Sequence, residues 1–402
     1  MRLGLICTHA SPLAALGTGR NGGVNTYVAE SLRALGEIGV EAHVFTQAAK
    51  AETVELAPGV FVHGLAVPPK EVSIEDLAAA TGEFAQAILD LDLDLQAVWS
   101  HYWIGGLAAQ HLVAAKRLPW AHSAHTLARV KKMGWATTEL PEREEAEEAI
   151  IQQADLLVAN SPAEQQQLVD LYGAQETKVK VATPGVGAAW GKSKRVRTAV
   201  RSARILYVGR LEPLKGPDIA IRAFAMSGLA KKGGRLALVG GASESYGREL
   251  VALAKKLGVK DAVEFKGALS TQPEMLAVYA QADCLLMTSW SESFGLATLE
   301  AQAGGCPVLA SDVGGLPYAV ANYESGLLVE AGDTAGFAAA LNRLWDEPGL
   351  LERLSRGAAV QAERFSWKAC VGVVLDGLGA VKPPKSTQSP KSTKSPKSTK
   401  RR

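Results

Sequence analysis

The feature that most constrains this chain is a strand–glycine–helix unit that occurs near the N-terminus and again just past residue 200. Leu3–Cys7 reads as a short apolar strand, followed by a long glycine-rich loop and a helical segment starting near Val24 (VNTYVAESLRALGEIG). In the second half ARILYVGR reads as a strand and GPDIAIRAFAMSG as a helix. Further strands are expected at EAHVFTQ, Ala97–Ser100, Trp120–Ala124 and Leu156–Ala159, then at RLALVGG, AVEFKG, CLLMTSW, PVLASD and GLLVE. Helical spacing lies between them, at Arg248–Gly258, QPEMLAVYAQA and LATLEAQAGG. Alternation of this kind builds parallel sheets covered on both faces, with ligands at the carboxyl ends of the strands. The expected fold class is α/β, with two Rossmann-like doubly wound domains facing each other across a cleft.

A length of 402 residues and a hydrophobic fraction of 47% suit two domains with their own cores. The boundaries read as a first domain over 1–190, a polar basic linker over 191–203 (GKSKRVRTAVRSA), and a second domain over 204–363. Residues 382–402 repeat Lys, Ser, Thr and Pro with eight Lys/Arg and no acid, so the rest of the chain carries about −6 of the formal +2. That body does not suit a general nucleic-acid binder. The tail cannot bury apolar area and is expected to be disordered. It reads either as a solubilising extension or as a weak contact to a membrane surface or another polyanion, tuned by phosphorylation at Ser389 and Ser395. Cys7, Cys284, Cys306 and Cys370 show no metal-ligand spacing and read as thiols of a reducing cytosol. The first residues carry one basic residue and too short an apolar run for a signal peptide, and no run of 18 apolar residues occurs. A cytoplasmic location follows as the expectation, peripheral to a membrane if the tail tethers.

Four constellations carry chemistry. The loop Gly17-Thr18-Gly19-Arg20-Asn21-Gly22-Gly23 lets backbone approach an anion in front of a helix N-terminus. It is no P-loop, since no G-K-[ST] follows, and no acid ends the second strand as a dinucleotide site would require. Arg210 and Lys215 in YVGRLEPLKG follow a strand directly and suit a pyrophosphate, whose developing charge they would neutralise. Glu292 and Glu300 in ESFGLATLE are eight residues apart, the first expected in a loop and the second about two turns into a helix, a spacing that brings two helical residues to one side. One carboxylate would reach a sugar hydroxyl and the other a ribose, beside the backbone N–H groups of Phe294, Gly295 and Leu296. His125, after a core strand, reads either as a satisfied core histidine or as a contact to the donor sugar and reacting centre. Asp90, Asp92 and Asp94 imitate a metal-binding D-x-D, but their acid/apolar alternation reads as the approach to a half-buried strand. PEREEAEEAI reads as an acidic helix start.

In order and over residues 1 to about 380, these motifs resemble the retaining glycosyltransferases of family 4, with the two-domain GT-B architecture. Glu292…Glu300 is similar to the family's E-x7-E signature, and Arg210 and Lys215 match its diphosphate-binding pair. The resemblance implies donor contacts from Gly23, Asn25, Arg210, Lys215, Glu292, Phe294, Gly295, Leu296 and Glu300, with His125, Arg210, Lys215 and Glu292 at the reacting centre. It further implies retention of anomeric configuration by front-side substitution, no required cofactor or metal, and a UDP-sugar as co-substrate. A C-terminal helix over 364–381 is expected to pack back on the first domain.

Within the family, HASPLAALGTGRNGGVNTYV, SHYWIGG and AHTLARVKK are similar to the D-inositol-3-phosphate glycosyltransferases of mycothiol synthesis. By that likeness Lys70, Tyr102, Thr126 and Arg143 would hold the phosphate of a small acceptor, two cations and two hydroxyls around one monoester. The chain departs from that group at Arg20 and Gly187, where the group carries Asp. Other acceptors, namely a sugar phosphate, a lipid-linked glycan or a secondary metabolite, stay open. So do a homodimer and a non-catalytic nucleotide-sugar-binding protein whose tail recruits a partner.

Overall fold

The structure, a computed structural model, describes residues 1–13, 22–69, 72–134, 140–192 and 202–381. The first-half strands are β1 (Arg2–Ile6), β2 (Glu41–Gln47), β3 (Glu52–Ala57), β4 (Val60–Leu65), β5 (Ala97–His101), β6 (Trp120–Ser123), β7 (Leu156–Ala159) and β8 (Val179–Val181). The second-half strands are β9 (Arg204–Val208), β10 (Arg235–Val239), β11 (Val263–Gly267), β12 (Cys284–Met287), β13 (Val308–Ser311) and β14 (Gly326–Val329). They form two sheets, ordered β3-β4-β2-β1-β5-β6-β7-β8 and β11-β10-β9-β12-β13-β14. The second is fully parallel and follows the doubly wound order 3-2-1-4-5-6. The central strands are apolar along their whole length because helices cover both faces; Leu5, Trp99, Leu206 and Leu285 are buried.

Each sheet has a switch point where strand order reverses, between β1 and β5 and between β9 and β12. Loops diverge there and leave a crevice at the carboxyl ends. The candidate residues come mainly from the loops after β5, β6, β9 and β12.

Three readings need correction. The first sheet is not wholly parallel: β3 runs antiparallel to β4 through the turn at Pro58-Gly59. Its side chains are all exposed, which suits an edge strand carrying Glu52 and Glu55. The acidic run at 90–94 does precede a strand, β5, but a fully buried one; the helix Thr81–Leu89 ends at the run, and Asp92 sits in a left-handed turn. Nor does Trp190 belong with the first domain: it is buried in the second domain's core, edge-on to Tyr279 at 5.7 Å. Of the linker, residues 193–201 lie outside the described residues, as does the tail.

The chain crosses back just before the helix Trp367–Ala380. At this point Gly185 lies so close to Trp367 that a Cβ would come 2.1 Å from its backbone nitrogen. The returning helix packs on the helix Gly23–Glu37. Trp367 stands edge-on to Tyr27 at 5.1 Å, and the Cys370 thiol lies 3.4 Å from the Tyr27 hydroxyl. Among the described residues no helix is long and apolar enough to cross a membrane.

Candidate active site

One wall of the cleft is built on β9 and β12. The Tyr207 hydroxyl donates to the carbonyls of Arg210 and Lys215 at 3.3 and 3.0 Å, fixing the loop after β9. Trp290 N–H donates to the Leu214 carbonyl and Thr288 Oγ1 to the Gly216 carbonyl, joining this loop to the one after β12. Gly216 has φ +64 and lies against Thr288, a space that admits no side chain. Lys215 Nζ thereby reaches Glu292 Oε2 at 2.7 Å, with both side chains about one-fifth exposed. Arg210 stays largely open to solvent, paired with Glu212 at 3.0 Å.

Glu292 lies in a loop and Glu300 in the helix after it, as expected, though one turn in rather than two, so the two do not share a helical face. Gly295 takes φ +91, so the helix Leu296–Ala303 starts only at Leu296, leaving Glu292 in the loop and Glu300 one turn in. The spacing instead sets one carboxylate before the helix N-terminus and one along it. Free N–H groups of the first turn lie between them, the arrangement that binds a phosphate. Phe294 is buried edge-on against Phe365 at 5.5 Å and anchors the loop. Glu300 accepts from the Tyr279 hydroxyl at 2.9 Å. Burial pushes its carboxyl up to about 7, with Glu30 adding repulsion and the tyrosine bond opposing both.

The opposite wall comes from the first domain. His125 follows β6 in the left-handed region, φ +61. Its Nε2 lies 3.0 Å from His101 Nδ1, and its ring stands edge-on to Tyr27. Burial pushes it down to about 3, so the imidazole is neutral at physiological pH. Asn25 is buried and serves the loop backbone: Oδ1 accepts from Gly22 N–H and Nδ2 donates to the Ser11 carbonyl, both at 2.9 Å. Gly23 stands beside Leu296 of the other domain, whose Cδ1 would be 3.9 Å from an added Cβ.

Tyr102, Thr126 and Arg143 meet although they come from three segments. Arg143 Nη2 donates to the Thr126 carbonyl and Oγ1 at 3.1 and 3.0 Å, and its guanidinium lies over the Tyr102 ring at 5.0 Å. Arg143 is nevertheless not an open cation: it is buried and bonds Glu147 at 2.7 Å. Glu147 also accepts from Ala128 N–H and the Tyr172 hydroxyl. Glu147 was absent from the sequence reading, though its i,i+4 spacing from Arg143 was visible. Glu30 and Ser161 were also missed, and no local motif marks them; Ser293 and His101 lie inside ESFGLATLE and SHYWIGG but were given no role. Lys70 and Arg20 lie outside the described residues.

Residues 22–185 match the family model "Glycosyl transferase 4-like domain", and residues 191–361 match "Glycosyl transferases group 1". The chain is 40% identical over 410 residues to a D-inositol 3-phosphate glycosyltransferase of Acidothermus cellulolyticus, covering 94% of this chain and 90% of that one. It is 39% identical to another from Streptomyces bingchenggensis, covering 93% and 88%. Among solved structures it resembles a sucrose-phosphate synthase from Thermosynechococcus elongatus, with a TM-score of 0.84 and 27% identity over 94% of this chain and 99% of that one. Anabaena HepE, solved with UDP and glucose, has a TM-score of 0.74 at 18% identity, over 95% and 100% of the two chains, and shares the fold. On this fold, these matched domains and relatives so similar along nearly their whole length, the chain belongs to the GT-B glycosyltransferase family that includes the D-inositol 3-phosphate glycosyltransferases, and it is a glycosyltransferase.

Proposed function

We propose that this enzyme moves a sugar, N-acetylglucosamine in the first instance, from its UDP form to inositol phosphate, with retention and without a metal. The relatives' name supplies the acceptor, and the cluster of Tyr102, Thr126 and Arg143 carries the reading. Because Arg143 occupies an acceptor lone pair of Thr126 Oγ1, the Thr126 proton is available to an incoming phosphate oxygen. The Tyr102 hydroxyl would add a second donor and Lys70 the opposing charge.

On the donor side Arg210, Lys215 and the N–H groups at Leu296 would take the diphosphate. Glu292 would take sugar hydroxyls and Glu300 the ribose. As the sugar–phosphate bond breaks, charge grows on the leaving phosphate; Lys215 sits where it can exchange Glu292 for that charge. In front-side substitution the same phosphate receives the acceptor's proton, so no protein nucleophile is needed. Neutral His125 contributes shape and a hydrogen bond rather than a charge, since burial leaves it without the second, acidic proton of an imidazolium. The cytoplasm is the proposed place of action.

The test is transfer of labelled sugar from UDP-N-acetylglucosamine to D-inositol 3-phosphate, compared with unphosphorylated inositol and repeated in excess EDTA. The proposal expects EDTA-resistant product and a strong preference for the phosphorylated acceptor. Equal use of inositol refutes the phosphate pocket, and loss of activity in EDTA refutes the metal-free route.

A further inference from the structure

The donor loop Ser291–Leu296 is gripped from both domains. On its own side Gly314 and Gly315 lie directly against it: a Cβ would come 2.0 Å from the Glu292 carbonyl oxygen on one and 2.2 Å from that of Ser293 on the other. Gly315 N–H also donates to the Glu292 carbonyl at 2.9 Å. Across the cleft, Ser293 Oγ donates to the His125 carbonyl, and Ser161 Oγ donates to the Ser293 carbonyl at 3.1 Å. Both anchor points are themselves rigid. The His125 ring is held by His101, and Ser161, fully buried, caps the helix Pro162–Tyr172 by accepting from Glu164 N–H.

The residue between Glu292 and Phe294 therefore makes two hydrogen bonds to the other domain. A cleft that opens must break both, and one that closes re-forms them only when the loop lies in a single register against His125. We propose that Ser293 and Ser161 form an interdomain latch that positions the donor loop over the acceptor wall. They are positioning residues: neither need touch substrate. Their effect passes through Glu292 and Lys215 on one side and His125 on the other. Only the kinetic arm of the test rests on the acceptor reading above.

The experiment compares full-length wild type with Ser293→Ala, Ser293→Thr and Ser161→Gly, the last chosen because glycine caps a helix nearly as well as serine. Each is assayed for kcat and donor KM with UDP-N-acetylglucosamine and D-inositol 3-phosphate, for thermal midpoint, and by small-angle scattering with and without saturating UDP. Loss of one such bond at the transition state lowers kcat roughly tenfold, about 1.4 kcal/mol. The latch predicts that fall in Ser293→Ala and Ser161→Gly, with donor KM within about twofold, and near-wild-type kcat in Ser293→Thr. It also predicts that UDP compacts the wild type more than the two broken variants. Unchanged kcat in Ser293→Ala, or equal compaction in all four proteins, overturns it. If the wild type transfers no sugar to D-inositol 3-phosphate, the acceptor reading fails, and the scattering comparison decides the latch: unequal compaction upholds it and equal compaction overturns it.

Discussion

The buried pair Arg143–Glu147 allows stability and acceptor recognition to be separated in one experiment. The two side chains are 3% and 2% exposed and bond at 2.7 Å. Glu147→Gln keeps the shape and can still accept from Ala128 N–H and the Tyr172 hydroxyl, but it strands the guanidinium without a counter-charge. Breaking such a pair costs about 3–5 kcal/mol, a large part of the roughly 5–15 kcal/mol of a typical domain. At about 2–4 °C per kcal/mol for a domain of this size, the melting point should fall by roughly 6–20 °C. Adding Arg143→Met removes the stranded charge and should recover most of that loss. It also removes the Nη2 bonds that orient Thr126. The double variant should therefore melt near the wild type yet lose about tenfold or more in kcat/KM for D-inositol 3-phosphate, the worth of one charge-assisted bond. Calorimetry and steady-state kinetics check both. A single variant as stable as wild type refutes the burial argument. A stable double variant with wild-type acceptor kinetics refutes the phosphate pocket.

Gly187 faces Glu30, whose Oε2 would lie 3.1 Å from an added Cβ. Gly187→Asp should lower the melting point by several degrees through crowding and carboxylate repulsion, and Glu30→Gln should relieve it; no relief in the double variant contradicts that cause. Gly295→Ala forces a side chain to φ +91 with its Cβ 2.8 Å from Leu316 Cδ2, so UDP affinity measured by calorimetry should fall at least tenfold. Burial pushes the Glu164 carboxyl up to about 7, so between its unfolded pKa near 4.5 and about 7 the native state holds a proton that the unfolded state has lost. Stability from this group thus declines as pH rises through that window, and Glu164→Gln should flatten the slope of denaturation free energy from pH 5 to 7. Glu300, also raised to about 7, should strengthen UDP binding between pH 6 and 8; a flat profile speaks against ribose recognition by its carboxylate.

How much was legible depends on the range of the forces involved. Apolar periodicity and glycine punctuation mark the helix at Gly23–Glu37 and the core strands, since those signals are local. The edge hairpin was missed because its outer strand, ETVELA, mixes acids with apolar residues and looks like a solvated loop, despite the Pro58-Gly59 turn. The E-x7-E spacing singled out Glu292 and Glu300, and their loop-then-helix placement holds, but not the shared helical face. A left-handed glycine, not helical periodicity, separates Glu292 from Glu300.

The sequence by itself determined the α/β class, the two repeats of the doubly wound pattern, and which side chains could serve a nucleotide sugar. Tertiary structure alone decided their states. Burial neutralised His125 and raised Glu300, because both depend on what packs around them from other segments. Packing also put Trp190 in the second domain's core, turned Arg143 from an open cation into half of a buried ion pair, and brought Ser161 and Ser293, 132 residues apart, into one bond across the cleft. The Ser161–Ser293 bond joins segments distant in the chain, and no spacing rule within one segment encodes it; the Arg143–Glu147 pair is local in sequence, and only its burial is tertiary.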